Sequence, residues 1–285
     1  MRKVAVQSVK GGVGKSTVSA GLCFALRDRG YKVGYLEVDI SGTSGHRAFG
    51  IEAPRLGLNT ETSQLVPPVI DGIRMFPLAS KFTEDACVGW RESDSVIALS
   101  DGSVYKDPGR RGFIQEILTC GVDWGDTEYL ILDLPPSSGQ DVMSFYDYIP
   151  NLFGVLIISQ PSEIAVVGLM KTLDFLKGQE KPIIGLVENM GRCLCPHCNR
   201  YFYPFTSKGV NLQRLAKDEG IPFIVSIPQV DAMERLGPYF DELAQYVINC
   251  QPRVHCQSVL GGGQKAIRDF EKFFIRGIGR VLPKL

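Results

Sequence analysis

Residues 9–17 read Val-Lys-Gly-Gly-Val-Gly-Lys-Ser-Thr and stand between an apolar run at 3–8 and a helical pattern at 16–29. A strand that turns through glycines straight into a helix opens a crossover unit, which commits the chain to a parallel sheet with helices on its faces. The turn also has a chemistry of its own. Its glycines let successive backbone N–H groups curl around a phosphate, and the helix N-terminus adds its dipole. Lys15 can then reach the terminal phosphates and Ser16 can ligate magnesium (Mg2+). Gly11, Gly12, Val13, Gly14, Lys15, Ser16 and Thr17 are therefore the expected nucleotide-binding residues. The alternative is a glycine-rich turn with incidental lysines, which strand, loop and helix in register disfavour.

The rest of the chain keeps the alternation. Apolar runs at 32–38, 129–133, 154–159, 182–188 and 222–227 read as strands, several of them continuous enough to be buried on both faces. Helical patterns cover 163–177 and 208–219, and Gly30 and Gly220 stand where left-handed helix caps are expected. The expected fold class is α/β, doubly wound around a mostly parallel sheet. From about 82 to 112, Asp101-Gly102 and Asp107-Pro108-Gly109 supply turn chemistry and mark an insertion. The 285 residues divide into one large domain, 1–247, and a tail, 248–285. In the tail Ala266, Ile267, Phe270, Phe273, Phe274 and Ile278 fall at helical spacing opposite Lys265, Arg268, Lys272 and Arg276. This basic amphipathic helix is expected to pack on its own domain rather than on a membrane.

Thirty-one basic residues balance 31 acidic ones, so no net field favours nucleic acid or an anionic membrane, and neither partner is expected. The start, MRKVAVQ, passes directly into the first strand, and a cytoplasmic protein is expected. Eight cysteines are too sparse for a disulfide scaffold, yet Cys193, Cys195 and Cys198 fall within six residues, which in a reducing compartment suggests metal. The metal-binding insertion is placed near 193–205. Cys23, Cys87 and Cys120 read as buried small hydrophobes, and Cys250 and Cys256 as inert thiols.

A phosphoryl-transfer site needs a carboxylate for magnesium and an oriented water, and such groups sit at the carboxyl ends of parallel strands. Asp39 and Asp133 occupy those positions. The loop K-G-G-x-G-K-S, with Val9 where the commoner pattern has its first glycine, resembles the deviant Walker motif of the MinD, ParA and nitrogenase iron-protein class. That resemblance implies that Lys10 reaches a partner's nucleotide across a dimer interface. It also implies that Asp39, before a segment like the class's first switch, positions the attacking water. Lys10, Lys15 and Asp39 are thus the expected hydrolytic residues.

Three further motifs narrow the resemblance to the Mrp/ApbC family of cluster-carrier ATPases and extend it from residue 1 to about 245. Asp133-Leu134-Pro135-Pro136-Ser137-Ser138-Gly139-Gln140-Asp141 is similar to the family's D-x-P-P-G-T-G-D switch, with serines at 137 and 138 in place of glycine and threonine. The resemblance implies that Asp133 holds magnesium through water. Glu188-Asn189-Met190 matches the family's E-N-M, whose asparagine contacts the adenine edge. Cys195-Pro196-His197-Cys198 reproduces C-P-x-C, whose pairs from two subunits hold one 4Fe-4S cluster, consistent with such a cluster's need for four thiolates. The family implies a homodimer that binds ATP and transfers the cluster to apo-proteins.

Cys193 departs from the pattern and adds C-x-C beside C-x-x-C. The cysteine residues by themselves also allow a structural zinc site or a redox pair. At the level of function, a MinD/ParA-like positioning switch and a nickel-insertion ATPase remain as alternatives.

Overall fold

In the computed structural model the chain runs β1 (Arg2–Gln7), α1 (Lys15–Asp28), β2 (Val33–Glu37), α2 (Gly45–Ala48), β3 (Gly57–Asn59), β4 (Gln64–Val66), β5 (Val69–Ile70), β6 (Ile73–Phe76), β7 (Ser95–Ala98), β8 (Val104–Asp107) and β9 (Tyr129–Asp133). It continues through β10 (Leu152–Ser159), α3 (Glu163–Gly178), β11 (Pro182–Leu194), β12 (Tyr201–Phe202), α4 (Leu212–Asp218), β13 (Phe223–Gln229), α5 (Gly237–Asn249) and β14 (Arg253–Val254). The structure describes residues 1–8, 10–38, 45–52, 54–77, 121–136, 149–204 and 209–255, positions 117 and 146, and the backbone of 95–98 and 104–107.

The main sheet has the order β13-β11-β10-β1-β9-β2-β6-β5, parallel from β13 to β6, with β5 antiparallel at one edge. Its strands are apolar on both sides because both sides are covered. In β10, Val155 and Ile157 join the core beneath α3 and α4, while Leu156 and Ile158 join the core beneath α1 and α5. The strand that feeds the glycine loop, β1, lies at the centre between β9 and β10. The chain next forms β2 beyond β9, so the crevice at the carboxyl end of β1 is a topological switch point, where open α/β sheets bind ligands.

All six expected strands and all three expected helices are present, with adjusted ends. Gly30 and Gly220 take φ of +88° and +69°, the left-handed conformation a cap requires. The helix expected over 208–219 starts at Leu212, because the Asn211 side chain accepts a hydrogen bond from the Arg214 N–H at 2.7 Å and caps it there. The strand expected to stop at Glu188 continues to Leu194. Beyond residue 247, β14 (Arg253–Val254) pairs antiparallel with Pro182 and Ile183 of β11 and so joins the main sheet. Of the expected insertion, the backbone of β7 and β8 forms an antiparallel hairpin. Asp101, Gly102, Cys87, Cys120, Cys256 and the amphipathic segment of the tail lie outside the described residues. Among the described residues no helix is long and apolar enough to cross a membrane.

Candidate functional site

The glycine loop closes on α1 through backbone geometry that only glycine adopts freely. Gly12 and Gly14 have φ of +80° and +81°, and the Gly14 carbonyl accepts the first helical hydrogen bond from Val18 at 3.0 Å. Gly14 is constrained twice over, because a side chain there would collide with the Asn189 amide and with Met190. Ser8, fully buried, donates from its hydroxyl to the Lys10 carbonyl at 3.3 Å and holds the start of the loop. Gly11, Gly12 and the Lys10 side chain are exposed, whereas Val13 and Lys15 are buried and Ser16 and Thr17 half-buried.

Lys15 Nζ donates to Asp133 Oδ1 in a buried ion pair. Ser19 Oγ donates to the same oxygen at 3.3 Å, and the Tyr35 hydroxyl donates to Asp133 Oδ2 at 2.9 Å. A carboxylate with 0% exposure must find such partners, since an unpaired buried charge is strongly unfavourable. Burial and the adjacent Asp133 charge push the Tyr35 hydroxyl and the Cys23 thiol well above their ordinary pKa values, which keeps both neutral. Cys23 is thus the buried small residue its helical setting predicts.

The structure brings together Gly14, Lys15, Asp133 and Asn189, which are spread over most of the sequence. Asn189 Nδ2 donates to the Val13 carbonyl at 2.8 Å, so the asparagine expected near adenine is hydrogen-bonded to the phosphate loop itself. Its Oδ1 and second N–H are further hydrogen-bonding capacity that a base edge can use. Asp39 and the switch residues 137–141 lie outside the described residues. Tyr35 and Ser19 are partners of Asp133 that sequence reasoning missed; the one signal was a hydroxyl-bearing side chain within the otherwise apolar Val33–Leu36 run.

From Asn189 the same strand leads to the cysteines. Met190 has φ of +57°, an unusual conformation for a side chain of this size, and its sulfur accepts from Gln160 Nε2 at 3.3 Å. Cys193 pairs with Phe202 across the β11–β12 hairpin, and its thiol donates to Gln229 Oε1 at 3.2 Å. The hairpin turn is held by Cys195 N–H to the Arg200 carbonyl at 3.0 Å and Asn199 N–H to the Cys195 carbonyl at 2.9 Å. Backbone N–H groups of Cys198 and His197 point at the Cys195 sulfur and lower its pKa, while burial raises that of Cys193. The hairpin leans on α5: Arg192 stacks 4.4 Å from the Tyr201 ring centre, and the Tyr201 and Tyr239 hydroxyls are hydrogen-bonded at 2.8 Å.

Among the described residues no three cysteine, histidine or carboxylate side chains gather as a metal-ligand set. Cys195 and Cys198 stand as a closely spaced pair, the Cys198 thiol within hydrogen-bond reach of the Cys195 sulfur. Phe202 and Tyr203 follow the cysteines on the same hairpin and are exposed, Tyr203 at 65%, and Ile164, Val167 and Met233 are further exposed apolar side chains. All follow the carboxyl ends of β10, β11 or β13, the end of the sheet that carries the phosphate loop.

Known proteins resemble this chain in sequence and in fold. Residues 1–251 match the pattern of the NUBPL iron-transfer P-loop NTPases, within the ParA group. The chain is 32% identical over 227 residues to an iron-sulfur cluster carrier protein of Methanocaldococcus jannaschii, covering 79% of this chain and 72% of the relative. It is 33% identical over 229 residues to a cytosolic Fe-S cluster assembly factor of Bos taurus, NUBP2, covering 79% and 78%. Among solved structures, a nucleotide-binding protein of Archaeoglobus fulgidus in complex with ADP superposes with a TM-score of 0.64 at 26% identity over 90% of this chain and 94% of that one. The cell-division ATPase MinD of Pyrococcus furiosus shares the fold, with a TM-score of 0.57 at 18% identity over 87% and 98%.

Proposed function

The chain belongs to the family of NUBPL iron-transfer P-loop NTPases, and we propose that within it the protein is an ATP-hydrolysing homodimer that carries a 4Fe-4S cluster between its subunits and delivers it to apo-proteins. One observation carries the reading. Cys195 and Cys198 sit on an exposed hairpin continuous with the strand whose Asn189 is hydrogen-bonded to the phosphate loop, so cargo and nucleotide sites share one end of the sheet and one strand. Two thiolates per protomer match half of a cluster's requirement, and Phe202 and Tyr203, exposed on the same hairpin, supply apolar surface for the second copy.

The residues present fit Mg-ATP. Left-handed Gly12 and Gly14 shape an anion cradle at the N-terminus of α1, and the donor set for magnesium is hard oxygen, the Ser16 hydroxyl and the Asp133 carboxylate. Bound magnesium neutralises charge on the phosphates. Lys15, which spends its charge on Asp133 here, turns to the terminal phosphates when they arrive. Lys10, exposed at the rim of the loop, is assigned to the partner's nucleotide, and Asp39 to orienting water. Asn189 is assigned to the adenine edge as well as to the loop. The cytosolic setting of the Bos taurus relative supports a cytosolic place for this protein.

Native mass spectrometry of protein purified without oxygen tests the reading. The expected species is a dimer bearing the mass of four irons and four sulfides, absent from a Cys195→Ser/Cys198→Ser variant that still binds nucleotide. Zinc or nickel in their place, or no metal after anaerobic reconstitution, overturns the carrier reading; a metal-free ATP-dependent dimer points to a positioning switch.

A further inference from the structure

Strand β2 is buried at each of its five positions, and an aliphatic side chain at 35 would satisfy its packing. The tyrosine there adds a hydroxyl that is directed at one oxygen of one carboxylate. Asp133 divides its two oxygens: Oδ1 faces Lys15 and Ser19 of α1, and Oδ2 takes the Tyr35 hydroxyl at 2.9 Å. The Tyr35 ring is fixed in turn by an edge contact with Phe49, with ring centres 4.7 Å apart.

The same hydroxyl lies against Gly45, the first residue of α2, where any side chain would collide with it. Gly45 is also tied by its N–H to Glu37 Oε1 at 2.6 Å. Tyr35 and Glu37 are two apart on β2 and so face the same side of the sheet. Together they form a floor beneath the start of α2, next in sequence to residues 39–44, which include Asp39.

We propose that Tyr35 is a positioning residue of the magnesium–nucleotide site, whose hydroxyl orients Asp133 and packs against Gly45 at the start of α2, an inference that rests on the nucleotide reading above. When Lys15 leaves for the phosphates, Asp133 loses its strongest partner and keeps its orientation through Tyr35. Oδ1 then stays on the α1 side, where it would help hold magnesium bound at Ser16, while Oδ2 remains bound to the protein.

The test is binding of a fluorescent ATP analogue to the full chain in EDTA and across a magnesium titration, with thermal denaturation of the apo-protein alongside. Tyr35→Phe keeps the ring and its contact with Phe49. It is expected to leave binding in EDTA unchanged and to raise the magnesium concentration for half-maximal enhancement by about tenfold or more, as loss of a hydrogen bond behind a metal ligand does. Gly45→Ala, which crowds the hydroxyl without removing it, should shift the same titration in the same direction. A Tyr35→Phe protein with lowered thermal stability but the wild-type magnesium titration would make Tyr35 a core residue only and overturn the proposal. A wild-type protein that binds no analogue with or without magnesium is a different result, which overturns the nucleotide reading and this inference with it.

Discussion

Asp133 is wholly buried and both its oxygens accept hydrogen bonds, whereas Cys198, at the tip of a hairpin on the same end of the sheet, is exposed. Around the carboxylate, side chains from α1, β2 and β9 lock one another in place before any nucleotide arrives. The hairpin is held by its own backbone hydrogen bonds and by one lean on α5 through Arg192, Tyr201 and Tyr239. On the proposed function, the difference follows from what each region handles. A site that must grip a small polyanion gains from rigid, preorganised donors. A site that must release its cargo to another protein needs accessible ligands on an element that can shift without disturbing the core.

Removing Lys15 should produce the largest effect, because it attacks the rigid region. Lys15→Ala leaves the Asp133 charge buried without its cation, and the apo-protein should lose about 3 kcal/mol in urea denaturation, the low end for breaking a buried pair because Ser19 and Tyr35 still donate to it. Nucleotide binding should be lost with it. An apo-stability equal to wild type would show that this network is not formed before ligand binds, and the contrast between the two regions would collapse.

Asn189 stands where the two regions meet. Asn189→Ala removes the bond to the Val13 carbonyl and should lower stability by about 1 kcal/mol. If the strand transmits order from loop to hairpin, amide hydrogen exchange at residues 190–194 should quicken in the same variant. Unchanged exchange there would separate the regions completely.

This junction also marks where the sequence stops being legible. The parallel strands, the glycine loop and the caps at Gly30 and Gly220 were readable because each is encoded within a few residues, by periodicity or by a required left-handed φ. Beyond Glu188, the run Asn-Met-Gly-Arg breaks the apolar pattern and Met190 turns left-handed, so the continuation of β11 to Leu194 depends on pairing with β13 and β12, which lie distant in the chain or across a turn. Helix α5 was not among the expected helices: Phe240, Leu243, Ala244 and Val247 fall at helical spacing, but Gly237-Pro238 at its start reads as a turn. In the site, Lys15 and Asp133 were legible from their motifs. The Tyr35–Asp133 bond was not, since it joins positions 98 apart and requires the strand order β9-β2.

Within the hairpin the cysteines should differ in reactivity. N–H groups at the turn lower the Cys195 pKa and burial raises that of Cys193. A lowered thiol pKa means thiolate at lower pH, so as pH is raised from the acid side iodoacetamide should modify Cys195 of the metal-free protein before Cys193, as read by peptide mass mapping. The reverse order would mean that the turn does not hold the Cys195 sulfur against those N–H groups in solution.

The smallest effect on stability should come from the change with the largest effect on cargo. Cys195→Ser/Cys198→Ser replaces two side chains on a hairpin that contributes neither to the core beneath α1 nor to the core beneath α3, and the metal-free protein should denature within about 0.5 kcal/mol of wild type. Lys15→Ala and this double variant then form a crossed pair, one losing fold stability and nucleotide, the other losing iron alone. If the cysteine variant proved as unstable as Lys15→Ala in metal-free form, the hairpin would be part of the rigid scaffold. In the proposed homodimer, cargo release would then have to proceed by separation of the subunits, because the hairpin could not move within one of them.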